Sequence, residues 1–275
     1  HRHDLRRLTR LEPPYILALT AILLMHIAIN SHPVDVLIPH WLASLVYAHN
    51  IIYHHVPMLT VVAWSLEVEI QFYLLAPLLF TIFALPKLVR RSILIVSIIV
   101  VVFLKSVYIP TYISLYVFIQ YFLMGMLLAD LYVSNSFAEL FNKKWMIIPA
   151  VICLVAMLYM PIKSTTLPAS TLFAAKLIFP FLVGFFYYAV LKNDLLKKIF
   201  SYKFIPVIGG MCYSIYLLHY TIISLAGGYT KGIYITNNYL VNLCLQVVLL
   251  SIPIIVLSSL YYYYVERPFM SNKWL

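Results

Sequence analysis

Eight runs of apolar residues punctuate the chain, at about 15–30, 58–84, 91–109, 112–133, 145–160, 169–191, 207–226 and 238–264. Each is near or above the roughly 17 residues that a helix needs to cross a bilayer. Backbone N–H and C=O groups in hydrocarbon must pair within their own segment or in a closed barrel, and runs of this length pair as helices. The expected fold is therefore an all-α integral membrane protein with about eight transmembrane helices. Composition agrees, since the 275 residues are 64% hydrophobic and only 10% charged, against roughly one-quarter charged in a soluble domain. No internal repeat or soluble domain breaks the pattern, so residues 1–275 read as one transmembrane domain.

The formal net charge of +10 does not indicate nucleic acid, which needs a basic face open to water. The basic residues sit mostly in short connections between apolar runs. Arg2, Arg6, Arg7 and Arg10 precede the first run, and Lys87, Arg90 and Arg91 follow the second. Lys143 and Lys144 follow the fourth, Lys192, Lys197, Lys198 and Lys203 the sixth, and Arg267 and Lys273 close the chain. Only Lys105, Lys163, Lys176 and Lys231 fall on the opposite side. By the positive-inside bias, both ends of this chain are cytoplasmic.

The segment Ser31 to Pro57 tests that orientation. Pro39 to Tyr53 is apolar enough to be helical, but it is too short to cross comfortably, and a crossing there would invert every later charge. It is expected to be an interfacial or re-entrant helix on the outer face, with Trp41, Leu45 and Ile52 as its buried stripe and His40 and His49 nearer water. The cysteines Cys153, Cys212 and Cys244 lie within apolar runs and read as small buried hydrophobes without a disulfide framework.

The polar residues inside the spans carry the functional argument. In Trp64-Ser65-Leu66-Glu67-Val68-Glu69-Ile70-Gln71-Phe72-Tyr73, two carboxylates and an amide occupy a membrane helix, where an acid near the bilayer centre costs roughly 2.5 to 3.5 kcal/mol on insertion scales. Helical spacing puts Trp64, Glu67 and Gln71 on one face and Ser65, Glu69 and Tyr73 on another. Such groups serve either as hydrogen-bonding glue between helices or as the lining of a reaction or transport cavity. Arg6, Arg7 and Arg10 would converge if their segment is helical, and guanidinium forks suit phosphates as well as anionic lipids. His219 sits mid-span with Tyr216 one turn back, either functional or tied to a tyrosine or a carbonyl. His26, His32, His40, His49, His54 and His55 crowd the outer side, but their spacing does not suggest a metal site. Glu266-Arg267-Pro268-Phe269 ends the last run, where Pro268 stops the helix.

In their order and spacing the motifs Arg6-Arg7-Leu8-Thr9-Arg10, Trp64 to Tyr73 continuing to Pro77, Tyr213-Ser214-Ile215-Tyr216-Leu217-Leu218-His219 and Tyr264-Val265-Glu266-Arg267-Pro268-Phe269 resemble the acyltransferase-3 family of integral membrane O-acyltransferases. That resemblance implies transfer of an acyl group, most often acetyl, from cytoplasmic acetyl-coenzyme A or another acyl-CoA to a hydroxyl of a carbohydrate or glycolipid at the bacterial surface. It implies an inner-membrane location and lipid contacts, with acyl-CoA as a donor substrate rather than a tightly bound cofactor. It also implies donor binding at Arg6, Arg7 and Arg10, support of catalysis by Glu67 and Glu69, and an acceptor cavity lined by Trp64, Ser65, Gln71, Tyr73, Tyr216 and His219. Family members have about ten spans, and the first carries an arginine followed about ten residues on by a histidine taken as the base. The chain begins at His1 rather than methionine, has no signal-peptide apolar region before the arginines, and shows neither of those two helices. It is thus expected to be an N-terminally truncated, inactive member. The rival expectation is a small transporter or flippase with a proton or substrate path through Glu67, Glu69 and His219.

Overall fold

The computed structural model describes residues 2–108, 111–161 and 167–270, with side chains described from residue 11 onward except that of Phe204. Among the described residues there is no strand. In chain order the helices are α1 (Arg2–Ala28), α2 (Val34–Leu45), α3 (His49–Tyr53), α4 (Trp64–Leu79) and α5 (Lys87–Val107). There follow α6 (Leu115–Val133), α7 (Ala138–Phe141), α8 (Ile147–Tyr159), α9 (Ala169–Lys192) and α10 (Asp194–Phe200). The chain ends with α11 (Phe204–Gly210), α12 (Cys212–Thr230), α13 (Tyr239–Tyr261) and α14 (Arg267–Met270). Short 3-10 turns flank α4, at Val61–Ala63 and Phe80–Ala84.

Among the described residues, five helical stretches are long and apolar enough to cross a membrane: Leu11–Ala28, Val61–Ala84, Leu115–Val133, Ala169–Lys192 and Tyr239–Met270. The other three expected spans are helical but do not meet that test, so the count of eight is not reached. α5 carries Lys87, Arg90, Arg91 and Lys105, α8 with its leading turn spans only Lys144–Tyr159, and α12 is diluted by hydroxyls and His219. The expected seventh run begins later than the sequence suggests, because Phe204–Gly210 is a separate short helix before Cys212.

The chain divides into two compact units, residues 1–67 with 207–275, and residues 68–206. In the first, α1 buries Tyr15, Leu19, Ile22 and Leu23 in a core shared with Leu37, Leu59, Ala63, Leu66 and Leu217. Proline inside a helix removes a hydrogen bond, yet α1 runs through Pro13 and Pro14. Neighbouring helices steady this stretch, as membrane helices allow: the Tyr213 hydroxyl donates to the Leu11 carbonyl at 3.0 Å and the Tyr261 hydroxyl to that of Pro14 at 2.5 Å.

α1 ends in a Schellman turn, with Asn30 left-handed (φ 49) and the N–H groups of Ser31 and Asn30 returning to the carbonyls of His26 and Ile27. α2 ends in the same way at Tyr47 (φ 55), where Ala48 N–H reaches the Ala43 carbonyl. A left-handed tyrosine is unusual; here Tyr15 stacks on its ring at 5.0 Å. Tyr15 also donates its hydroxyl to the Ser44 carbonyl at 2.9 Å. The segment expected to hold one helix therefore holds two, joined by this turn.

In the second unit, α5 buries Leu94, Ile98 and Val102, four residues apart, and packs on α6 and α9. Asp130 of α6 is buried and accepts from both Arg90 Nε at 2.6 Å and Arg91 Nε at 2.5 Å. Arg91 extends to Ser134 and Ser136 at 2.6 and 2.9 Å. Farther along the same helix pair, Lys105 donates to the Val117 carbonyl at 2.9 Å and to Gln120. A second apolar cluster joins Phe141, Met146 and Ala150 to Tyr188, Ala189 and Leu196.

Three expectations about burial are corrected, for the two histidines, for Ile52 and for the cysteines. His40 and His49 are not nearer water but buried, 8% and 0% exposed, whereas Ile52, expected in the buried stripe, is 55% exposed. Trp41 and Leu45 do pack on the core. Amphipathic logic assumes that water covers the polar face; here the imidazoles turn inward while Ile38, Leu42, Ile51 and Ile52 face outward. Cys212 and Cys244 are exposed, Cys153 is half-buried, and all three are free thiols.

Candidate functional site

Glu67 lies in the first turn of α4 and is fully buried at 0% exposure. A buried carboxylate is tolerable only when donors replace its water, and these come from the start of α3. Asn50 gives its backbone N–H at 2.8 Å and its side-chain amide at 3.0 Å to one carboxylate oxygen, and His49 N–H is also directed at the group. The first N–H groups of a helix have no intrahelical partner; α3 begins at Ala48 without a side-chain cap, and Glu67 fills that role from another helix. The second oxygen, Oε1, has no hydrogen-bond partner among the described residues, nor has Asn50 Oδ1.

Around Glu67 the first unit is rich in hydroxyls. Tyr15 is close enough for the charge of Glu67 to act on it. Ser65 Oγ and Tyr216 Oη are 2.8 Å apart, and Tyr216 donates to the Val62 carbonyl. Tyr213 and Tyr216 stack, with ring centroids 6.5 Å apart. With the bonds from Tyr213 to Leu11 and from Tyr261 to Pro14, four tyrosine hydroxyls of this unit, those of Tyr15, Tyr213, Tyr216 and Tyr261, donate to backbone carbonyls.

On the far side of α3, His40 Nδ1 lies 2.8 Å from His49 Nε2, and His49 Nδ1 lies 3.3 Å from the His55 carbonyl oxygen. Burial, followed by the charge of His40, pushes the His49 imidazole down to about 4 from its ordinary 6.5. His40 is lowered by burial first, then by His55 and His32. Among the described residues no group of three His, Cys, Asp or Glu side chains is arranged to hold a metal ion.

The other sequence candidates divide between the units. Trp64 and Ser65 are half-buried beside Glu67 in the first. His219 directs Nδ1–H to the carbonyls of Ile215 and Tyr216 in its own helix, at 3.0 and 2.9 Å, which favours a structural tie over a proton path. Glu69, Gln71 and Tyr73 belong to the second unit. There Tyr73 donates to Glu69, and Gln71 Oε1 accepts from Leu115 N–H at 2.7 Å while its Nε2 is unpartnered. Arg6, Arg7 and Arg10 share the helical backbone of α1, as their spacing required, and their side chains lie outside the described residues. So do Lys163 and Lys273 of the charge count. Glu266, 1% exposed, sits in a π-turn and accepts from Ser214 Oγ at 2.5 Å. Sequence reasoning missed Asn50 and the His40–His49 pair, whose signal was a cluster of polar side chains in an otherwise apolar segment.

Fold and site together are those of a helical membrane protein with a buried, partly unpartnered carboxylate among hydroxyl-bearing side chains. The family model described as "Acyltransferase domain" matches residues 2–263. The chain thus belongs to the acyltransferase-3 family of membrane acyltransferases. No curated protein and no solved structure matches it.

Proposed function

We propose that the protein is a membrane O-acyltransferase that moves an acyl group, in the first instance acetyl, from cytoplasmic acyl-CoA to a hydroxyl of a cell-surface glycan or glycolipid. The observation that carries this reading is Glu67: fully buried, anchored through one oxygen and with the other unpartnered. A fully glued structural carboxylate would have both oxygens satisfied. In this reading Oε1 faces the acceptor hydroxyl or the group that deprotonates it, since acyl transfer needs a base for the nucleophile and donors for the oxyanion. Arg6, Arg7 and Arg10 take the donor's phosphates on the cytoplasmic side. Trp64, Ser65 and Tyr216 line the acceptor side, while Glu69, Gln71, Tyr73 and His219 order their helices.

The same reading makes Ser31 to Pro57 a re-entrant hairpin entering from the outer face of the inner membrane. The Tyr15 to Ser44 hydrogen bond supports it, because Ser44 then lies beside the arginine-proximal half of α1 rather than beside its end at Ala28. The transporter alternative finds no support in His219, whose ring is tied to its own helix.

The test uses inner membranes containing the protein, with acetyl-labelled acetyl-CoA and carbohydrate acceptors. Label should pass to the acceptor, and Glu67→Gln should reduce transfer about 100-fold, as expected for a group acting on a proton-transfer step. Undiminished acylation in Glu67→Gln, or acceptor movement without any need for acyl-CoA, would overturn the proposal.

A further inference from the structure

Beside the ion pair of Arg90 and Asp130, the helices of the second unit leave an apolar groove of about 350 Å³. From that pair α5 lines the groove with Ile93, Leu94 and Ser97, and α6 with Met126 and Leu123. Steps of three or four residues keep these side chains on one face of each helix. The groove therefore begins at the ion pair and follows α5 from Arg90 to Ser97, about 10 Å along the axis. Its third wall is the 3-10 turn Phe80–Ala84 with its flanks, through Leu78, Ile82 and Leu85. Leu78, Leu85 and Ile93 are exposed, so the groove opens sideways to the lipid around the helices. Its mouth is positive. Arg90 and Arg91 share the Asp130 carboxylate, which leaves one guanidinium charge uncompensated. Lys87, the first residue of α5, is exposed and makes no ion pair or hydrogen bond among the described residues. Arg90 Nη1 lies 3.3 Å from the Leu85 carbonyl oxygen, which ties the guanidinium to the rim. α5 starts after Pro86 without a side-chain cap, so its first-turn N–H groups add the positive end of a helix at the same place.

We propose that this groove holds one chain of an anionic glycerophospholipid of the cytoplasmic leaflet, with the lipid phosphate on Lys87, Arg90 and the start of α5. A neutral apolar ligand leaves the surplus charge at the mouth unanswered, and a free phosphate leaves the apolar walls without a partner. An anionic head joined to a hydrocarbon chain answers both halves, in the order in which α5 and α6 present them. The lipid chain packs between the end of α4, α5 and α6, so its binding also stabilises the second unit. The inference is independent of the acyl-transfer reading, because none of the residues given a part in that reaction lines the groove.

The experiment measures binding to the full chain in detergent by native mass spectrometry, with dioleoyl phosphatidylglycerol, dioleoyl phosphatidylcholine, palmitoyl-coenzyme A and inorganic phosphate as probes. In the parent, phosphatidylglycerol should bind about 25-fold more tightly than phosphatidylcholine of the same chains, about fivefold for each of the two surplus cations. That comparison needs no variant to fold. Lys87→Gln should weaken phosphatidylglycerol about fivefold and leave phosphatidylcholine unchanged. Ser97→Trp, which fills the apolar end of the groove, should weaken both lipids about 10-fold, the burial of about two methylenes. Equal affinity of the parent for the two lipids would overturn the inference, as would an unchanged phosphatidylglycerol affinity in Ser97→Trp. Displacement of bound phosphatidylglycerol by inorganic phosphate would show an ion site with no part for the groove, and would overturn it too. Palmitoyl-coenzyme A binding more tightly than phosphatidylglycerol, and weakened by Ser97→Trp, would assign the groove to an acyl donor instead of a membrane lipid.

Discussion

Replacing Asn50 by alanine removes the side-chain N–H that Glu67 receives at 3.0 Å and leaves the backbone N–H at 2.8 Å in place. A hydrogen bond to a charged group contributes about 1.5 to 3 kcal/mol, and the environment is fully buried at both residues, so the upper half of that range applies. Alanine also removes Asn50 Oδ1, which has no partner, and relief of that desolvation offsets about 1 kcal/mol. The net loss expected is about 2 kcal/mol. Asn50→Leu, which fills the space without restoring a donor, should lose a similar amount and so separate the hydrogen bond from the cavity. Pairing Asn50→Ala with Glu67→Gln should give a coupling of about 1 kcal/mol, because a neutral acceptor makes a bond roughly half as strong. Unfolding in mixed detergent and lipid micelles, followed by the fluorescence of the half-buried Trp41 and Trp64, measures the parent and all four variants. A change below about 0.5 kcal/mol in Asn50→Ala, with no coupling to Glu67, would show that the carboxylate does not depend on the Asn50 side chain.

Asp130→Asn takes the shared carboxylate from Arg90 and Arg91 and should destabilise the second unit by about 3 kcal/mol, the low end for a broken buried pair because both arginines keep some solvent; urea unfolding reads it. Gly184→Ala would place a methyl 2.6 Å from Met124 Sδ and 3.1 Å from its Cγ. A loss of about 1 to 3 kcal/mol in thermal unfolding should be relieved when Met124→Ala is added. Between pH 6.5 and about 4 the unfolded chain binds a proton at His49 that the folded one does not. Stability should therefore fall as pH drops through that window, by up to about 3 kcal/mol, and the slope should weaken in His49→Phe.

The class of fold was legible because run length and hydropathy are local quantities, and the five strongest runs are helices long and apolar enough to cross a membrane. The division of faces in α4 was legible for the same reason, and the i, i+4 bond from Tyr73 to Glu69 follows directly from the helical period. Asn50 on Glu67 was not, since a contact 17 residues away in sequence leaves no periodic trace. The burial of His40 and His49 was read with the wrong sign. In water an apolar stripe points to the protein interior, but in lipid aliphatic side chains are content outside and polar ones seek each other within. His219 was left open between function and a local tie; its Nδ1 meets the carbonyls of Ile215 and Tyr216 in its own helix, a contact that the sequence pattern does not distinguish from a free imidazole.

The bonds that frame the two units also differ in when they become possible during synthesis. Asp130 meets Arg90 and Arg91 across 40 and 39 residues, so that latch can shut soon after α6 has been made. Tyr213 reaches Leu11 across 202 residues and Tyr261 reaches Pro14 across 247. The first helix must therefore wait in the membrane, its proline-bearing stretch without those two hydroxyls, until nearly the whole polypeptide has left the ribosome. The unit that contains Glu67 is completed last, and a chain halted before α13 would hold the carboxylate in a unit that has not closed.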